Sequence, residues 1–74
     1  MRILFFGRLR DGPGAGTVPP TVRDTDALRA WLGRERPELL AQSVRMAVND
    51  EMIVANRTLD EGDEVVFLPP VSGG

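Results

Sequence analysis

The strongest constraint on the fold of this chain is a pair of strand-forming apolar runs near its two ends, Met1-Arg2-Ile3-Leu4-Phe5-Phe6 and Glu64-Val65-Val66-Phe67-Leu68. Both are rich in β-formers, and both are apolar on either face when side chains alternate across a strand. The first therefore suits a central strand. Between them lies a helical pattern: Leu28, Trp31 and Leu32 fall at i, i+3 and i+4 and make one apolar face. Thr25 is the expected N-cap, and Asp26 places a negative charge in the first turn, where the helix dipole favours it. Gly33 weakens the pattern and Pro37 ends it near Arg36, with Pro37-Glu38-Leu39-Leu40-Ala41 starting a short second helical turn.

The remaining segments are short. Arg10-Asp11-Gly12-Pro13-Gly14-Ala15-Gly16 is a turn cluster; it lacks the Lys-Ser/Thr of a phosphate-binding loop and precedes no helix. Thr17-Val18-Pro19-Pro20-Thr21-Val22 reads as a second strand, confined to an edge because neither proline donates a ladder hydrogen bond. Val44–Val48 alternates as a strand, Asn49-Asp50-Glu51 is turn chemistry, and Met52-Ile53-Val54 is a further short strand. Asp60-Glu61-Gly62-Asp63 predicts a tight turn with Gly62 at positive φ. Pro69 ends the pairing of the last strand.

This order predicts an α+β fold: a small mixed sheet packed on one main helix, with the first and last strands parallel neighbours joined through the helical crossover. A chain of 74 residues makes one domain with a thin core. One helix covers one sheet face. Strand parity puts Ile3, Phe5, Val65, Phe67, Met46 and Val48 under Leu28, Trp31 and Leu32. Leu4, Phe6, Val66 and Leu68 then face away with no second helix to bury them, and such a patch marks a partner site.

Composition closes off most side-chain chemistry. The sequence has no Cys and no His, and all nine basic residues are Arg. Thiolate nucleophiles, disulfides, His acid–base catalysis, the usual zinc sites and lysine Schiff bases are excluded. A net charge of -2 without a basic stripe argues against nucleic acid. No apolar run approaches the ~20 residues of a membrane span, and no signal peptide is recognisable at Met1, so the cytoplasm is the expected location.

The reactive candidate is the end of the sequence, Pro69-Pro70-Val71-Ser72-Gly73-Gly74. The reading divides the chain into a folded domain over 1–70 and a flexible Gly-Gly tail over 71–74. A carboxylate on Gly74 is a poor electrophile until ATP supplies a leaving group as an acyl-adenylate, and no Cβ crowds its carbonyl. Pro69 and Pro70 stiffen the tail's base. Four further residues reach ~13 Å when extended, enough to enter a neighbouring site.

Three segments, "ILFFGRLRD", "MAVNDEMI" and "LDEGDEVVFLPPVSGG", resemble the small subunit of molybdopterin synthase, a ubiquitin-like β-grasp sulfur carrier. The stretch from about Gly12 to Ser43 matches in pattern only, and Pro19-Pro20 departs from a regular β-grasp hairpin. The resemblance implies that an activating enzyme adenylates Gly74 with ATP and that a sulfur donor protein converts it to a thiocarboxylate. The tail would then enter the large synthase subunit, in a heterotetramer, and pass sulfur to cyclic pyranopterin monophosphate. Gly73 would keep the tail thin. Phe6, Arg10, Met52 and Leu68 match family positions that contact the large subunit, and Pro69, Pro70, Val71 and Ser72 would complete the partner contacts. No metal and no cofactor is expected on this chain, and no catalysis by the chain alone. The acidic "DEGDE" run reads as a solvated turn, or as a means of steering toward a basic partner surface. Three other readings stand beside this one: a sulfur carrier for thiamine thiazole, cysteine or RNA thiolation, a ubiquitin-like modifier, and an interaction module with an idle tail.

Overall fold

A computed structural model describes residues 1–70 of the chain. Its sheet has four strands, β1 (Arg2–Phe5), β2 (Arg45–Val48), β3 (Glu51–Met52) and β4 (Glu64–Leu68), in the order β1-β4-β2-β3. The one α-helix among the described residues, α1 (Thr25–Gly33), lies in the crossover between β1 and the rest, and two 3₁₀ segments, Gly7–Asp11 and Pro37–Leu40, flank it in sequence. β1 and β4 pair in parallel, from Arg2 opposite Glu64 to Phe5 opposite Phe67. β2 runs antiparallel to β4, with Met46 opposite Phe67 and Val48 opposite Val65. This is the ubiquitin-like β-grasp arrangement, with one layer of sheet and one of helix.

The core forms where parity places it. Val65, Phe67, Met46 and Val48 are buried against Leu28 and Leu32, while Ile3, Phe5 and Trp31 pack around them partly exposed. The Phe5 and Phe67 rings stack at 5.5 Å. Burying such a set is the main source of stability in a domain this small.

Five expectations are corrected. Thr17–Val22 forms no strand; it is an irregular segment whose turn is closed by the Val22 amide donating to the Pro19 carbonyl at 3.0 Å. The two prolines leave too few N–H donors for a ladder, although Val22 still buries its side chain in the core. As a result β1 is an edge strand of the described sheet rather than a central one, and β4 takes the centre. The cap of α1 is Asp24 and not Thr25: the Asp24 carboxylate accepts from the Ala27 amide at 2.8 Å. Thr25 is instead buried at the first helical position, donating to Asn56 Oδ1 and accepting from the Arg57 amide. The third strand stops at Met52, and Val54 is fully exposed. Gly62 does not adopt positive φ; its turn is held by the Asp63 amide donating to the Asp60 carbonyl and by the Asp60 amide donating to Asp63 Oδ2.

The positive φ values lie elsewhere. Asn49 and Asp50 have φ of 51° and 68° and connect β2 to β3 as a two-residue turn, the backbone that matches the twist of a tight hairpin. Among the described residues no helix is long and apolar enough to cross a membrane.

Candidate functional site

The outer face of the sheet and the root of the tail form one surface. Strand register aligns Leu4, Val66, Ala47 and Met52 in a single row across all four strands. One step toward the tail, Leu68 lies opposite Arg45, and Phe6, just past β1, donates its amide to the Phe67 carbonyl at 3.0 Å. All of these side chains share the face away from α1, as alternation requires. The face is not uniformly open. Val66 and Ala47 are buried because apolar neighbours in register flank them on both sides, Leu4 and Leu68 are half-buried, and Phe6 and Met52 stand out at 48% and 46% exposure. The row thus has a packed centre and two projecting apolar ends.

β4 contributes Val66 and Leu68 to this face and runs directly into Pro69 and Pro70, both half-buried. Pro69 is seated against Gly7, which opens the first 3₁₀ segment at φ +58°. A Cβ on Gly7 would stand 2.7 Å from Pro69 Cγ, so the absence of a side chain permits both the turn and the close approach. Arg8 and Arg10 follow Gly7 in that segment. Leu9 between them is buried, and Arg8 and Arg10 are exposed.

Arg36 fastens this segment from below. It is 4% exposed, donates to the Leu9 carbonyl at 2.6 Å and the Pro13 carbonyl at 3.2 Å, pairs with Glu38 at 3.1 Å, and lies 4.5 Å from the Phe5 ring centroid. Its charge is therefore fully engaged, as a buried guanidinium requires. At the other end of the sheet, the Asp63 carboxyl is held below its usual range by the Asp60 amide and then by Asn49 Nδ2.

Of the residues expected at the site, Phe6, Met52 and Leu68 fall on one face, Pro69 and Pro70 follow β4 directly, and Arg10 is exposed in the 3₁₀ segment that Gly7 opens. Val71, Ser72, Gly73 and Gly74 lie outside the described residues. Gly7, Ala47 and Arg45 were not anticipated. Extending the parity argument from β4 to β2 reaches Ala47 and Arg45 from sequence, and a glycine directly after a strand is a visible signal for Gly7. Among the described residues no group of His, Cys, Asp or Glu is disposed to hold a metal ion.

The pattern of the ThiS family matches residues 3–74. The Escherichia coli (strain K12) molybdopterin synthase sulfur carrier subunit is 35% identical over 85 aligned positions, covering 100% of this chain and 99% of that protein. The Mycobacterium tuberculosis molybdopterin synthase sulfur carrier subunit is 32% identical over 80 positions, covering 100% of this chain and 96% of that protein.

Proposed function

This chain belongs to the ThiS family, and from that membership we propose that it is the sulfur carrier subunit of a molybdopterin synthase. The observation that carries the reading is the continuity of β4: the strand that supplies the centre of the outer apolar face also delivers Pro69 and Pro70, and through them the tail. Docking of that face on a partner would aim the tail in a fixed direction.

The chemistry belongs to Gly74. Its carboxylate attacks the α-phosphorus of ATP on the activating enzyme, pyrophosphate leaves, and the carbonyl becomes an acyl-adenylate. A persulfide sulfur from the donor protein then displaces AMP, and a thiol reduces the remaining sulfur–sulfur bond to release the thiocarboxylate. In the large subunit this sulfur bonds to a side-chain carbon of cyclic pyranopterin monophosphate, displacing oxygen there. Water hydrolyses the resulting thioester and returns the Gly74 carboxylate, and two such transfers build the dithiolene. The carrier contributes a reacting group and its placement, while the partners supply binding and electrostatics. ATP is a substrate of the activating partner, and the chain itself holds no cofactor or metal in this scheme. A cytoplasmic location fits the reaction.

The test is intact mass spectrometry after incubation with ATP, activating enzyme and sulfur donor. The expected product is heavier by the exchange of one oxygen for sulfur, located on the Gly74 peptide and competent to convert the pterin when the large subunit is added. A thiocarboxylate that serves thiazole, cysteine or RNA thiolation instead would move the chain to another carrier pathway. Gly74 joined to target lysines would make it a modifier, and an inert terminus would leave only an interaction module.

A further inference from the structure

β1 leaves one side of its backbone open. The Arg2 amide donates to the Asp63 carbonyl and the Phe6 amide to the Phe67 carbonyl, so the even-numbered residues turn their backbone groups toward β4. Successive residues of a strand alternate in this respect. Ile3 and Phe5 therefore direct N–H and C=O outward, away from the sheet. β1 pairs with β4 alone, and among the described residues no loop backbone exchanges a hydrogen bond with Ile3 or Phe5. Backbone groups without a partner in the protein are met by water or by another chain. The side chains along the same strand are also incompletely covered: Ile3, Leu4 and Phe5 are half-buried and Phe6 is exposed. Phe6 keeps extended backbone, at φ -108° and ψ 160°, so the open edge runs over residues 2–6 before Gly7 turns the chain away at positive φ. Sheet edges are ordinarily protected by a proline, a bulge or a lysine. None of these interrupts the stretch from Ile3 to Phe6.

We propose that a second copy of this chain occupies this edge, its β1 running antiparallel and the two-fold axis passing beside Leu4. The occupant has to be a strand apolar on both faces, because incompletely covered side chains stand on the helix side (Ile3, Phe5) and on the outer side (Leu4, Phe6). β1 itself meets that requirement; β4, the other such strand, is already paired on both edges. Centring on Leu4 lets all of residues 2–6 pair. A shift of the axis to Ile3 would draw in Met1, whose amine is held by the Glu61 carbonyl, and a shift to Phe5 would draw in Gly7, which has left the strand. In the Leu4-centred register Ile3 faces Phe5 of the second copy, the two residues exchange both backbone bonds, and the axis repeats the exchange. On the outer side Leu4 meets Leu4, and the exposed Arg2 guanidinium reaches the Phe6 ring of the second copy as a cation–π pair. A two-fold contact of this kind is self-complementary and closes at the dimer. Because β4 is parallel to β1, the two tails leave opposite ends of the joined sheet. The inference does not depend on the sulfur-carrier reading.

The experiment is sedimentation equilibrium of the full chain, with amide hydrogen exchange read by NMR at the same concentrations. A short edge buries less than a standard interface, so a dissociation constant on the order of 100 µM is expected, and the series runs from ~10 µM to ~2 mM. The mass should rise from 8.1 kDa at the dilute end toward twice that value. Over the same range the Ile3 and Phe5 amides should gain ~5-fold or more in protection, while the Leu4 amide, directed at β4, is protected throughout. L4K sets like charges directly opposite one another at the axis and should stay monomeric at every concentration. V54K, at an exposed position outside β1, should dimerise as wild type does. If L4K fails to show a folded circular dichroism spectrum, the wild-type exchange data decide alone. A chain that is still monomeric at ~2 mM overturns the proposal. So does a dimer that leaves the Ile3 and Phe5 amides unprotected, because the contact then lies elsewhere, and so does a folded L4K that dimerises like wild type. Protection of those two amides already in the dilute monomer also overturns it, and would assign the edge to the chain's own residues 17–22. None of these outcomes bears on the thiocarboxylate test.

Discussion

Asp63 illustrates how much one surface residue organises. Its carboxylate accepts from the Asp60 amide within its own turn and from Asn49 of the hairpin, and the Asn49 side chain in turn accepts from the Glu64 amide at the start of β4. Its pKa is lowered in the folded state, so its contribution is complete above the unfolded-state value of about 4 and is lost as pH falls through the lower folded value. D63N should therefore be less stable than wild type near neutrality. In urea denaturation series run from pH 7 to pH 2, the gap should narrow below pH ~4. A gap that stays constant into acid would show that the charge of Asp63 is not what holds the turn. Arg36 is the contrasting case: it is buried, tied to two carbonyls and one carboxylate, and read in the sequence merely as the place where the helix ends.

At the scale of elements, the β2–β3 hairpin depends on Asn49. The residue sits at φ 51° and its amide donates to the Glu64 carbonyl at 2.8 Å, so the turn is fastened to β4 as well as to β3. N49A and N49G both lose the two side-chain hydrogen bonds, but alanine alone also bears the steric cost of left-handed backbone. N49A should be less stable than N49G by about 1 kcal/mol, measured by equilibrium denaturation. Equal stabilities would mean that the hydrogen bonds account for the whole preference. The second strand fails for a related reason of backbone chemistry: Pro19 and Pro20 have no N–H to give, so the segment contributes side chains to the core without joining the sheet.

For the whole molecule, the buried core and the proposed docking surface lie on opposite faces of one sheet. Phe6 and Met52 project from the outer row and belong neither to the buried cluster beneath α1 nor to the side chains packed against it. F6A/M52A should therefore change unfolding free energy by no more than about 1 kcal/mol in total. The same variant should weaken binding to the large subunit by ~10-fold or more, since exposed aromatic and apolar anchors carry much of an interface's energy. Calorimetric titration reads the second effect and thermal denaturation the first. Undiminished affinity in a folded variant would move the docking surface away from this face.

The sequence by itself determined the parallel pairing of β1 with β4, the helical crossover and the split of side chains between two faces. Those features follow from period-two and period-3.6 spacing in a sequence that offers one main helical pattern. It also carried the family resemblance and pointed to Phe6, Met52, Leu68 and the Pro69-Pro70 root. Tertiary structure decided what depends on distant partners. Asp24 rather than Thr25 caps α1, because Thr25 is drawn to Asn56 and Arg57, 31 and 32 residues away. Left-handed backbone falls at Gly7, Gly16, Asn49 and Asp50 and not at Gly62, and at Gly7 it coincides with the close approach of Pro69 from the far end of the fold. Val66 is buried on a face that was expected to be open, because Leu4 and Ala47 close over it in register. Spacing along a chain encodes which way a side chain points; what it meets there is set by segments that only folding brings together.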